Sequence, residues 1–147
     1  MKIEPLSPMD AIDTHFARHK QVLEQTWQKL RESIAQVALL IAERITTEHK
    51  LILCGNGGSA ADAQHIAAEL IGRYSVTRRA LPAIALTTDT SALTAIGNDF
   101  GFDEIFSRQV EGLARKGDVV LGISTSGNSK NVLEAMKTAH LMKCTTV

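Results

Sequence analysis

One junction, occurring twice, constrains this sequence most. Leu51–Tyr74 runs a short apolar strand into the turn Gly55-Asn56-Gly57-Gly58-Ser59 and on into a helical segment, Ser59 to Arg73. Val119-Val120-Leu121-Gly122-Ile123 repeats the order through Ser124–Ser129, into a helix that starts at Asn128 or Ser129 and reaches about Met142. Short apolar runs without alternation predict strands buried on both faces. Strands separated by helices of roughly 10–15 residues predict βαβ units and a doubly wound parallel sheet of three layers. Both junctions then lie at the carboxyl ends of the strands, where open α/β sheets take their ligands.

The remaining segments fit this frame. Ser7-Pro8-Met9-Asp10 predicts a helix start: Ser7 caps, Pro8 suits the first helical position, and Asp10 favours the positive end of the dipole. The helix runs over about 8–46. Leu23, Trp27, Leu30, Ile34, Val37 and Ile41 recur by four and three residues, a heptad-like seam with no glycine or proline inside it. Such a seam covers its own domain or packs on another subunit, and the pattern leaves both open. Lys50–Cys54 is the first strand and Pro82–Leu86 the second. A short helix over Thr90–Gly97 is broken by Asn98-Asp99-Phe100-Gly101. Asp103–Arg115 is helical, with Ile105, Phe106, Val110 and Leu113 on one side. Gly117-Asp118 turns the chain into the third strand, and Cys144–Val147 starts a fourth. No linker or internal repeat divides the core of about 50–147, so 1–147 reads as one domain. A last strand with no covering helix is unusual in a doubly wound sheet, and suggests a C-terminally shortened chain.

Composition excludes several classes. A length of 147 residues suits one domain with a core of ordinary size. Lys+Arg and Asp+Glu both number 16, so the net charge is zero and the electrostatic footprint of a general nucleic-acid binder is missing. Arg73, Arg78 and Arg79 form a local basic patch or a solvated loop. Cys54 and Cys144 lie in or beside apolar runs and form no disulfide framework, which predicts buried, reduced thiols. The first residues, MKIEPLSPMD, lack the apolar core of a signal peptide, and no apolar run approaches the roughly 20 residues of a membrane span. The expectation is a cytoplasmic protein without membrane or nucleic-acid partners.

Three groups of residues can carry chemistry. The glycine turn lets backbone N–H groups approach an anion at a helix N-terminus, although its spacing matches neither the P-loop nor the dinucleotide fingerprint. A tight turn that needs glycine explains it equally well. Ser124-Thr125-Ser126-Gly127-Asn128-Ser129 places four hydroxyls in six residues at another helix start. They are poor core material and good donors to phosphate oxygens; the alternative is a helix cap that uses only one of them. His65 and Glu69 stand at i, i+4 on one helix face, with Asp62 and Arg73 on the same stripe. They are either a surface pair or two ligands of a metal that needs others. Asp99, beside Asn98, is placed either to bond a sugar hydroxyl or to end a helix.

Taken together, CGNGGSAADAQHIAAELIGRY, LPAIALTTDTSALTAIGNDFGFDEIFSRQV and GDVVLGISTSGNSKNVLEA resemble the phosphoheptose isomerase family of sugar isomerase (SIS) domains, over nearly the whole chain. The resemblance implies a flavodoxin-like sheet, a homotetramer with active sites between subunits, an oligomerisation role for the first helix, and one zinc ion per subunit. It implies that Asn56, Gly57 and Gly58 line the substrate, that His65 and Glu69 bind metal and substrate and act in catalysis, with Glu69 the acid/base, and that Asn98 and Asp99 contact the sugar. Ser124, Thr125, Ser126 and Ser129 would hold the phosphate. The implied reaction converts sedoheptulose 7-phosphate to D-glycero-D-manno-heptose 7-phosphate through an enediol, the first step towards ADP-heptose and the lipopolysaccharide core.

The sequence departs from the family at its end. A late helix carrying a Gln and a His that complete the metal site lies beyond Val147 in that family, so an inactive or incompletely assembled short form is expected. Two other classes share the loops. One is a non-enzymatic paralogue that binds the bacterial replication initiator; it departs from the family at the catalytic carboxylate, and Glu69 is present here. The other is a sugar-phosphate sensing domain.

Overall fold

A computed structural model describes residues 7–147. The chain divides into two units, the first ending at Leu39 and the second spanning Leu40–Val147. The first unit is most of helix α1, Pro8–Thr46. Its start follows the expected capping chemistry. The Asp10 N–H donates to Ser7 Oγ at 3.1 Å, and that hydroxyl donates to Asp10 Oδ2 at 2.6 Å. Leu23, Trp27, Leu30 and Ile34 of the seam are exposed, as are Ile12 and Phe16. Within its own unit a single helix has nothing on which to bury such a stripe.

The second unit holds strands β1 (Leu51–Gly55), β2 (Ala83–Ala85), β3 (Val119–Ile123) and β4 (Thr145–Thr146). They form one parallel sheet in the order β2-β1-β3-β4. Helices α2 (Gly58–Ile71), α3 (Thr90–Asp99), α4 (Ser107–Leu113) and α5 (Lys130–Leu141) connect them. This is the doubly wound α/β fold that the alternation of elements predicts, with the first strands in flavodoxin-like order.

The apolar runs are continuous because each strand is covered on both sides. Leu51 and Leu53 turn one way and pack with Ala63, Ala67, Ala85 and Val119. Ile52 and Cys54 turn the other way, into a cluster with Phe106, Val110, Val120, Val132, Ala135 and Ala139. Alanines four residues apart on α2 and again on α5 bring those helices close to the sheet. Cys54 and Cys144 are free, buried thiols. Burial pushes Cys54 up to about 12, and burial followed by the nearby Asp118 charge raises Cys144. Both thiols are therefore protonated and unreactive at neutral pH.

The segment Asp103–Arg115 departs from the continuous helix expected. A 3-10 turn over Phe102–Glu104 precedes α4, and the two are separate elements. Side chains take the carbonyls a continuous helix would use. Ser107 Oγ donates to the Glu104 carbonyl at 3.1 Å, and Gln109 Nε2 donates to the Ile105 carbonyl at 2.8 Å and to the Leu86 carbonyl at 3.0 Å. Ile105, Phe106 and Val110 are buried as expected, whereas Leu113 is exposed. α3 also runs further than expected, through Asn98 and Asp99, because the Phe100 N–H continues the ladder to the Ile96 carbonyl at 2.8 Å. No described helix is long and apolar enough to cross a membrane.

Candidate active site

Gly55 ends β1 and Ile123 ends β3, and the two are paired in the sheet. The glycine loop and the serine loop therefore leave the carboxyl edge side by side. Contact at this edge is close: a Cβ at Gly55 would sit 2.8 Å from the Ser59 carbonyl oxygen and 2.9 Å from that of Ile123. Gly57 has φ +56, a conformation L residues rarely adopt, and it leads into α2 with no side-chain cap. The Ser59 and Ala60 N–H groups donate instead to the Asn56 and Gly57 carbonyls of the turn, at 3.0 and 3.1 Å, at the positive end of a 14-residue helix.

The serine loop is a small web of hydroxyls. Ser124 Oγ lies 3.1 Å from Ser129 Oγ and 3.4 Å from Ser126 Oγ. The Gly127 N–H donates to Ser124 Oγ at 3.1 Å, and the Asn128 N–H donates to Ser126 Oγ at 3.1 Å. Ser129 is the N-cap residue of α5, but its side chain makes no cap bond. So the cap reading does not describe this loop. Three hydroxyls converge instead, beside the open amides of a helix start. Thr125 is exposed in the same loop.

The loops are joined by a residue that composition and spacing did not single out. Asn131, 2% exposed, exchanges two hydrogen bonds with Asn56: Asn56 Nδ2 donates to Asn131 Oδ1 at 2.9 Å, and Asn131 Nδ2 donates to Asn56 Oδ1 at 2.8 Å. A buried asparagine in the first turn of a helix is the sequence signal, yet its partner lies 75 residues away.

His65 and Glu69 are on one face of α2, with His65 Nε2 3.8 Å from Glu69 Oε1. His65 is exposed and Glu69 half-buried. At 1.5 Å per residue they lie about 10 Å and about 16 Å along the axis from Gly58. The pair is set back from the glycine loop and makes no hydrogen bond with either loop among the described residues. Nor does any cluster of three or more His, Cys, Asp or Glu there form a metal site. Asn98 Nδ2 donates to Asp99 Oδ1 at 2.8 Å in the exposed last turn of α3. They belong to a helix, not to the loop edge expected. Nearby, Asp103 Oδ2 lies 3.9 Å from Lys130 Nζ, which ties the following turn to the start of α5.

Arg78 lies in a largely exposed loop, yet is itself half-buried and is not a free surface charge. Its guanidinium donates to the carbonyls of Glu69 (2.9 Å), Leu70 (2.8 Å) and Arg79 (2.9 Å). It thus satisfies the last carbonyls of α2, which ends at Ile71 rather than Arg73, and fixes the backbone that carries Glu69.

Comparisons with known proteins bear on the family and the fold. The family model described as the SIS domain matches residues 14–147. A phosphoheptose isomerase of a Nitratiruptor species is 55% identical over 139 residues, covering 95% of this chain and 74% of the relative. One from Geobacter sulfurreducens is 57% identical, with the same coverage of 95% and 74%. Among solved structures, a phosphoheptose isomerase from Neisseria gonorrhoeae superposes with a TM-score of 0.89 at 49% identity, covering 95% of this chain and 73% of that one. Another, from Francisella tularensis, superposes with a TM-score of 0.93 at 37% identity, covering 96% and 74%.

Proposed function

The chain belongs to the phosphoheptose isomerase family of SIS-domain proteins, a family of sugar-phosphate isomerases, and from that membership we propose that it interconverts sedoheptulose 7-phosphate and D-glycero-D-manno-heptose 7-phosphate. The reaction would serve the synthesis of ADP-heptose for the lipopolysaccharide core. The observation that carries the reading is the paired carboxyl edge, where a web of three serine hydroxyls and two helix starts stand side by side. That arrangement fits a phosphate dianion, which binds best to convergent donors at helix N-termini. Ser124, Thr125, Ser126 and Ser129 hold the phosphate. Asn56, Gly57 and Gly58 line the sugar beside it, and Asn98 and Asp99 contact its hydroxyls.

Glu69 is the acid/base in this reading. Its carboxylate takes the proton from C1 of the ketose, leaving an enediolate; the O1 proton passes to O2, and the carboxylate returns its proton to C2 to give the aldose. His65 lies 3.8 Å away on the same face. Standing about 10–16 Å along α2 from the glycine loop, the pair would meet a substrate held by the loops of another copy of the chain, in a site between subunits. Anchoring the distant phosphate reduces the entropic cost of presenting C1 and C2 to the carboxylate. An imidazole nitrogen and a carboxylate oxygen are ligand types that zinc takes, and His65 and Glu69 are the residues that would hold one, with further donors from outside this pair. Bound zinc supplies positive charge that polarises the substrate carbonyl. We also assign the exposed seam of α1 to packing between copies in a homotetramer.

The test is direct. Incubation with sedoheptulose 7-phosphate, followed by NMR, should show the aldose 7-phosphate appearing. No conversion, alongside conversion of a different sugar phosphate, would move the substrate elsewhere. Ser124→Ala should weaken competition by inorganic phosphate by about 1–2 kcal/mol, the size of one charge-assisted hydrogen bond. An unchanged competition constant would mean that Ser124 only shapes the loop.

A further inference from the structure

We propose that Asn131 is a positioning residue that sets which way the Asn56 amide faces the substrate. The proposal rests on the reading of Asn56 as a sugar contact and adds to it a residue that touches no ligand. Asn131 lies in the first turn of α5, directly after the serine loop, and is 2% exposed. Asn56 opens the glycine loop and is half-buried.

Two facing amides can pair in either of two arrangements. Exchanging oxygen and nitrogen in both residues at once preserves both hydrogen bonds, so the pair alone does not choose. A third contact breaks the tie. The Val132 N–H donates to Asn131 Oδ1 at 2.9 Å. A backbone N–H only donates, so the atom it meets must be the oxygen. That fixes Asn131 Nδ2 towards Asn56 Oδ1 and Asn131 Oδ1 towards Asn56 Nδ2. Asn56 then keeps one N–H and one oxygen lone pair free, in a defined order, at the mouth of the glycine loop.

The same bonds set the distance between the two loops. Among the described residues they are the side-chain link from the glycine loop to the start of α5. Because α5 carries the serine loop at its head, the helix that receives the phosphate also orients the amide that meets the sugar. Asn131 thereby couples recognition of the two ends of one substrate.

A kinetic double-mutant cycle tests this. Asn131→Ala should lower kcat/KM for the sugar phosphate about 10-fold, as should Asn56→Ala, and the double variant should be no worse than Asn56→Ala alone. Inhibition by inorganic phosphate should change much less than kcat/KM. Losses that multiply in the double variant would show that Asn131 acts independently of Asn56, and would overturn the proposal. Should Asn131→Ala fold poorly, Asn131→Asp keeps both acceptor bonds and replaces the donor to Asn56 by a carboxylate oxygen, with its charge, against Asn56 Oδ1. Its loss beyond that seen with inorganic phosphate must vanish in the Asn56→Ala background, and persistence there counts against the proposal. If the wild-type protein does not turn over the sugar phosphate, the functional reading fails, and the side-chain 15N–1H signals of Asn56 decide the role of Asn131 separately. Two dispersed protons, the one bonded to Asn131 exchanging slowly, should collapse in Asn131→Ala, whereas unchanged signals would overturn the proposal.

Discussion

Replacing Glu69 with Gln should cut isomerisation by about 10²–10⁴-fold, the usual contribution of a positioned general base. Gln keeps the length and shape of the side chain and removes the negative charge that would accept the C1 proton. It should not disturb the helix. Among the described residues the Glu69 carboxylate makes no hydrogen bond and lies 3.8 Å from His65 Nε2, while its backbone carbonyl is held separately by Arg78 at 2.9 Å. Binding should largely survive, because in this reading the serine loop, at the head of another helix, would grip the phosphate. Turnover, exchange of the C1 proton with deuterated solvent, and a binding constant measured together would test this. Undiminished turnover would remove Glu69 from the acid/base role. Equal losses in binding and turnover would make it a binding residue.

The second large effect concerns stability and lies at the opposite edge of the sheet. Asp118 has a side chain only 3% exposed. It accepts hydrogen bonds from Lys50 Nζ at 2.5 Å, the Lys50 N–H at 3.0 Å and the Arg115 N–H at 2.7 Å, with His49 Nδ1 3.8 Å away. One carboxylate thus ties the entry to β1, the exit from α4 and the entry to β3. Asp118→Ala leaves two backbone donors and an ammonium without their acceptor. Breaking a buried pair in this way costs about 3–5 kcal/mol, and the partial exposure of Lys50 places this site near the lower value.

The pH dependence of that cost follows from the ionisation of Asp118. Burial raises its pKa, but the Lys50 side-chain bond, the Lys50 and Arg115 amides and the Lys50 charge together outweigh burial and hold it below the ordinary 3.8. A carboxylate depressed on folding stabilises the protein fully above its unfolded pKa. That contribution is lost as pH falls through the folded value. Urea unfolding of wild type and Asp118→Ala should therefore differ most at neutral pH, and the gap should narrow once the pH drops below about 4. A gap of equal size at neutral and acid pH would assign the effect to packing rather than charge.

How much of this was legible depended on the range of the interactions involved. The strand–loop–helix junctions at Gly55 and Ser124 were readable because apolar runs and small residues encode them over a dozen neighbouring positions. So was the Ser7 cap, which closes within three residues. The segment after Asp103 was harder. Its apolar spacing suits one helix, and only the competing bonds of Ser107 and Gln109 divide it. Arg78 looked like surface charge, since nothing near it in sequence marks the end of α2 as its target. Asn98 and Asp99 read as a helix breaker by propensity, yet the helix continues through both, because propensity is a weak prior against an intact backbone ladder.

The sequence by itself therefore determined the order of elements, the parallel sheet, the two anion-suited loops and the shared face of His65 and Glu69, because each follows from periodicity or spacing within one segment. Tertiary structure decided which distant groups meet. Asn56 bonds to Asn131 across 75 residues, and Lys50 to Asp118 across 68. Both pairings depend on β1 and β3 lying in register, with Gly55 beside Ile123 and Leu51 beside Val119. That register comes from burying apolar side chains on both faces of the sheet, and no local pattern in the chain names the polar partners it brings together.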